Sequence, residues 1–196
     1  MSLPVLSVDD FMIGNVRVEH ESSTLSSSAV NWHETTLSRG LHRIIVDFDI
    51  MLANDADVKK YETFYLRCNG RANPFQLDTG GDTSWSNPFV TQVIGKHSLA
   101  SPVTIGTSKI NITGNLSGVE NGSKLQIGAS TKVYMVIGKS SQQLEIYPAV
   151  RFAFPASTAI TFAVKPILRL KDDVSGKIGY GSRANTVSIT AVEVMQ

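Results

Sequence analysis

The stretch 42–77, HRIIVDFDIMLANDADVKKYETFYLRCNGRANPFQL, decides the fold. In its first part Ile44, Val46, Phe48, Ile50 and Leu52 recur at every second residue, with Arg43, Asp47 and Asp49 among the residues between them. A period of two sends successive side chains to opposite faces, so this is a strand with one face in the core and the other in water. The period then changes. Asn54 and Asp57 stand three apart, the arrangement of a side-chain cap with acidic charge at the positive end of a helix. Val58, Tyr61, Phe64, Tyr65 and Cys68 follow at helical spacings, leaving Lys59, Lys60, Glu62 and Arg67 for solvent. The pattern predicts a helix over 54–69, with Gly70 serving the left-handed stop. Gly70 to Pro74 then turns the chain, and Phe75-Gln76-Leu77 returns as a short strand.

Outward from this stretch the signals are weaker. Residues 16–41 are polar and rich in Ser and Thr, without a helical period, and read as loop with weak strands. Residues 78–102 hold Gly, Ser, Asn and Pro with isolated apolar positions, which reads as a long irregular connection into a second unit. From Val103 short alternating runs follow: Val103/Ile105, Ile110/Ile112, Leu125/Ile127, Val133 to Ile137, Leu144/Ile146, Phe152/Phe154 and Ile160/Phe162/Val164. Turn residues separate nearly all of them, as in a small antiparallel barrel. Past Pro166, Ile167 to Lys171 alternates again, and a last strand carries Val187, Ile189 and Ala191 on odd positions but Val192 and Val194 on even ones. That switch predicts a register break at 191/192. The expected fold is mainly β. A β-sandwich belt domain with one helix takes 1–77 and 166–196, and an OB-like antiparallel barrel takes 78–165.

Composition narrows the classes of function. The 196 residues carry 18 Lys and Arg against 17 Asp and Glu, so no basic nucleic-acid footprint is written into the totals. Charged residues make up 18% against 42% hydrophobic, which excludes a solvated coiled coil, a long-helix protein and a disordered tail. The lone cysteine, Cys68, leaves no internal disulfide framework and sits on the apolar side of the expected helix. No apolar run approaches the length of a membrane span, and Asp9 and Asp10 interrupt any signal-peptide core, so a soluble product of cytosolic synthesis is expected.

The residues that could carry chemistry do not assemble into a constellation. His20, His33, His42 and His97 lack the spacing of a metal site. The serines lack the Gly-x-Ser-x-Gly frame of a nucleophile elbow. Gly138-Lys139-Ser140 lacks the earlier glycine of a phosphate loop, Val133 standing in its place, and reads as a hairpin turn. Gly176 to Gly181 has its glycines in the wrong order for a dinucleotide loop. The triplets at Asn111, Asn115 and Asn121 read as strand and turn sequence rather than glycosylation sites. Asp47 and Asp49 belong to the solvent face of their strand. Trp32 and Trp85 lie in polar segments, where an aromatic either stacks on a ligand or anchors packing or a subunit contact. No catalytic, cofactor-binding or metal residue is expected, and no enzyme. Between residues 77 and 165 seven cations face four carboxylates, a small surplus. Tyr134, Tyr147, Phe152, Phe154 and Phe162 fall mostly where a barrel interior would claim them rather than on a basic stacking track.

The order now in hand is specific: the strand from His42 to Leu52, the helix ending in Phe64-Tyr65-Leu66-Arg67, and Asn69-Gly70-Arg71-Ala72-Asn73-Pro74-Phe75 leading into a returning strand. It resembles the distal tail proteins of siphophages. In that family a strand, a helix and such a return, with a pair of C-terminal strands, make a belt domain that assembles as a ring at the end of the tail tube. An OB-like barrel is added in short forms, and the runs from Pro102 to Pro148 have a similar layout. The resemblance implies a structural virion protein, a homohexameric ring joining the tail tube protein to the tail-tip hub and host-recognition apparatus. It implies neither cofactor nor membrane insertion. The contrasting expectation is a carbohydrate- or single-stranded-nucleic-acid-binding β module using the barrel.

Overall fold

The computed structural model describes residues 3–28, 30–84, 86–174, 178, 180 and 185–194. The fold is mainly β, with one helix among the described residues, a mixed sheet and a closed barrel. The chain begins with β1 (Val5–Ser7), β2 (Met12–Ser28) and β3 (Glu34–Leu52), then α1 (Asp55–Cys68) and β4 (Phe75–Asp78). It leaves for the barrel strands β5 (His97–Leu99), β6 (Lys109–Thr113), β7 (Lys124–Ile127), β8 (Tyr134–Ser140), β9 (Gln143–Tyr147) and β10 (Ala159–Thr161). It returns with β11 (Ile167–Leu170) and β12 (Asn185–Glu193).

The sheet has six strands in the order β1-β4-β11-β12-β3-β2, with β1 parallel to β4 and the other pairs antiparallel. Its inner face carries Ile44, Val46, Phe48, Ile50, Val187, Ile189 and Ala191, all buried. Where a sandwich would set a second sheet, α1 covers this face with Val58, Tyr61, Phe64 and Cys68. Phe89, Val133 and Val164, from the barrel segment, join the same core. The helix begins as its sequence implies. Asn54 is the N-cap, its side chain accepting from the amide of Asp57 at 3.0 Å. At the other end the cap is Asn69, with φ of 49°, and Gly70 follows in the same left-handed region with φ of 59°, as expected of it. Asparagine tolerates that region, and its amide donates back to the carbonyls of Tyr65 and Leu66.

The barrel closes in the order β10-β5-β6-β9-β8-β7 through antiparallel pairs. Ile110, Ile112, Leu125, Ile127, Tyr134, Val136, Leu144 and Ile146 fill it. Closure leaves the barrel without a free edge, and the larger sheet keeps two, at β1 and β2. The run expected at Val103/Ile105 and that at Phe152/Phe154 form only an isolated bridge between Val103 and Phe154. Ile105 and Phe152 are exposed. The connection 78–102 is irregular only in its first part, because His97–Leu99 is a barrel strand. Gly138-Lys139-Ser140 is the end of β8 rather than the turn, which follows at Ser141 with φ of 53°.

Two further expectations are overturned. Residues 16–41 are not loop: β2 and β3, of 17 and 19 residues, pair almost to the hairpin tip. A two-stranded ribbon with both faces in water needs no apolar alternation, so the period that marks a half-buried strand is missing there. The register break at 191/192 is also absent. Pairing of β12 with β3 runs unbroken from Asn185 opposite Leu52 to Val192 opposite Ile45, and burial alternates through Glu193. The inward place after Ala191 belongs to a carboxylate, so the apolar pattern broke while the strand did not.

Candidate assembly interface

The sheet, the barrel and the β2–β3 hairpin meet around Glu193. Its carboxylate, which is fully buried, pairs with Lys132 of the barrel segment, itself 4% exposed. It also accepts the backbone amides of Val133 at 2.8 Å and Ile44 at 3.1 Å. One side chain on β12 therefore ties together the barrel, the adjacent strand and the core. Lys132 donates further to the carbonyl of His42 at 3.1 Å, and the Arg151 guanidinium donates to the same carbonyl at 2.8 Å. Burial lowers the affinity of the Lys132 amine for its proton, and the Glu193 carboxylate opposes that shift.

His42 is buried beside this pair, with its Nδ1 3.4 Å from Lys132 Nζ. An ammonium only donates, so Nδ1 carries the lone pair and the ring proton sits on Nε2, 3.0 Å from His20 Nδ1. Both rings are then neutral. Burial is the main reason that the His42 pKa falls to about 4, and the charges of Lys132, His20 and Arg151 act in the same direction. His20 is lowered too, first by burial and then by Lys124 and Lys132. The His20 ring stacks on His42, Tyr147 of β9 meets His42 edge-on, and its hydroxyl lies 3.1 Å from Ser22 Oγ. The base of the hairpin is thereby clamped to the barrel.

Beyond that base the hairpin is an arm. From Glu21 to Leu41 every described residue except Ser23 is exposed. The arm runs roughly 25 Å past the clamp at about 3.4 Å per residue. Leu25 and Leu37 face each other across the ribbon, both exposed, and Val30 and Trp32 stand at the tip. Trp32 is 92% exposed and adopts φ of 63°, a region that bulky side chains rarely enter. A two-stranded ribbon is marginal in water on its own, and exposed leucine, valine and tryptophan make this one a surface suited to a partner.

The remaining residues singled out in the sequence fall elsewhere. Asp47 and Asp49 lie on the outer sheet face as expected, held by cross-strand bonds to Thr190 and Ser188. The hydrogen bond from Ser188, then that from Asn15, holds the Asp49 carboxyl below the ordinary range. His97 packs on Phe162 and contacts the carbonyl of Asn115. Tyr134 and Phe162 point into the barrel, so they offer no platform for a base or sugar. Lys139 fixes a loop through the carbonyls of Leu116 and Val119. Cys68 is buried, and its surroundings push the thiol up to about 11. Trp85 and most of the Gly176 to Gly181 string lie outside the described residues.

Among the described residues no group of three or more His, Cys, Asp or Glu could hold a metal ion. Among these same residues no helix is long and apolar enough to cross a membrane. The sequence reading missed the Lys132–Glu193 pair and the arm. A charged residue at an inward strand position was the available signal for the first, and the Ser/Thr-rich tract with isolated Leu and Trp for the second. The chain matches no model of a known protein family, and no curated protein matches it in sequence.

Proposed function

We propose that the chain is a structural subunit of a bacteriophage tail, a ring of six copies at the distal end of the tail tube that connects the tube to the tail-tip hub. The observation that carries the reading is the β2–β3 arm, an exposed ribbon with apolar residues along its length and at its tip. A subunit of this design completes its fold's surface by association. The interrupted belt supports the same reading. The chain leaves the sheet after Asp78 and re-enters at Ile167, so a barrel is carried as an insertion between strands that stay paired in one sheet. On this reading the protein is made in the host cytoplasm and resides in the virion.

Tag or antibody labelling of virions tests the location, and mass measurement with negative-stain images tests the ring. The expected outcome is label at the tail tip and a closed ring of six in the purified protein or in its complex with the tube. Label confined to the capsid, or absent from virions, overturns the assignment.

A further inference from the structure

We propose that the arm tip of one copy seats in the groove between β1 and α1 of the next copy, with Trp32 and Val30 inserted and Glu34 facing Lys59 and Arg67. The inference rests on the ring reading above and names the two surfaces that make the ring.

Three observations support it. The arm and the groove stand at opposite ends of the sheet order, the arm on β2 and β3 and the groove beside β1. A contact between opposite edges is heterologous, the kind that repeats from copy to copy and closes into a ring. The groove, about 380 Å³, has an apolar lining from Pro4, Val5, Phe11 and Phe64. Val5, on the edge strand, is exposed although apolar. An indole fits a concave apolar site of this kind, where a buried aromatic anchor contributes most to association.

Charge is the third observation. Lys59, Lys60 and Arg67 border the groove, and Lys60 is engaged with Asp10 at 4.0 Å. Among the described residues no carboxylate lies within 4.0 Å of Lys59 or Arg67, and none of the ion pairs includes Glu34, two residues from Trp32. The tip thus presents an apolar anchor beside a negative charge, and the groove presents an apolar lining beside positive charge. Charge complementarity of this kind sets register and direction between subunits.

Cysteine cross-linking of the full-length protein tests the seating. His33→Cys together with Thr63→Cys places one thiol at the tip and one on the groove wall, without removing Trp32, and buried Cys68 does not compete. Mild oxidation is expected to give a ladder of covalent oligomers ending at the ring, absent from either single variant. Covalent dimers from His33→Cys alone would place tips against tips and overturn the proposal. Charge reversal gives a second measure. Glu34→Lys is expected to weaken association at least tenfold, as is Lys59→Glu with Arg67→Glu, and combining them is expected to recover most of the loss. Unchanged association in Glu34→Lys, or no recovery in the combination, counts against the seating. A wild-type protein that forms rings while the double-cysteine variant assembles without cross-linking removes this seating alone. A wild-type protein that stays monomeric, both free and with the tube, removes the ring reading with it.

Discussion

Glu193 and Lys132 show how much of this fold depends on single side chains. A buried ion pair contributes little net stability compared with apolar residues of the same shape, but removing one partner strands the other. Lys132→Met is therefore expected to cost about 3 to 5 kcal/mol, read from urea unfolding. Glu193→Leu should cost more, because it also orphans the amides of Val133 and Ile44. A loss below about 1 kcal/mol for Lys132→Met would mean that the charges are not paired in a dry environment. His42 makes a second prediction, in pH. Its native pKa of about 4 lies below the unfolded value of 6.5, so between them the unfolded chain binds a proton that the native one does not. Stability is fully present above pH 6.5 and falls as pH drops toward 4, and His20 contributes in the same direction. His42→Gln should flatten this limb of the unfolding midpoint against pH, and an unchanged slope would refute the assignment.

The helix and the arm are opposite cases at the scale of elements. Helix α1 is anchored by its apolar stripe, and Tyr61 is its most buried large side chain, 1% exposed. Tyr61→Asp loses about 2 kcal/mol of transfer energy and adds an unpaired buried carboxylate. The melting temperature should fall on the order of 10 °C, and a change within a degree would mean that the ring does not face the sheet. The arm has almost no such anchor beyond its base. Its amides pair only across one ribbon, and the exposed Arg39 should be an early site of trypsin cleavage in the free subunit. Assembly should protect the same bond, and equal cleavage rates in free and assembled protein would separate the arm from the interface. The loop packing of the barrel rests on close approach. A Cβ on Gly118 would come within 2.1 Å of the Gln92 carbonyl oxygen, so Gly118→Ala should destabilise the barrel end where these segments meet.

For the whole molecule, the joint between sheet and barrel is a shared core with buried hydrogen bonds rather than a flexible tether. Phe89, Val133 and Val164 extend from the barrel segment into the sheet core, and Lys165 adds an ion pair to Asp78 at 2.5 Å. A barrel fixed this way holds one orientation toward the sheet, as the proposed connector role requires. Nucleic-acid reading by the barrel is the contrasting expectation, and a binding measurement decides it. Tyr134 and Phe162 point into the barrel, Tyr147 is engaged with His42 and Ser22, Lys132 is spent on Glu193, and Lys124 donates to the Pro88 carbonyl at 3.0 Å. Fluorescence anisotropy with labelled single-stranded DNA and RNA should show only feeble binding at low salt. Micromolar affinity that collapses between about 50 and 200 mM salt would instead reveal a phosphate-contacting groove.

Where one residue type at one spacing had one physical meaning, the sequence alone was sufficient. The alternation from Ile44 to Leu52, the Asn54 cap and the apolar stripe of α1 each arise from local geometry, and each is present as written. The short runs of the barrel were legible for the same reason, except at Val103 and Phe152, where no paired strand forms. What the sequence could not settle were positions whose meaning depends on distant partners. Glu193 looks like a break in an apolar strand until Lys132, 61 residues away, neutralises it. His20 and His42 carry no metal or catalytic spacing, and only the pairing of β2 with β3 brings them within 3.0 Å. The arm has no periodic signature because neither of its faces is buried within one chain. Local patterns record which side of an element meets the core, whereas long-range pairing determines which charges can be buried and which strands extend beyond the sheet.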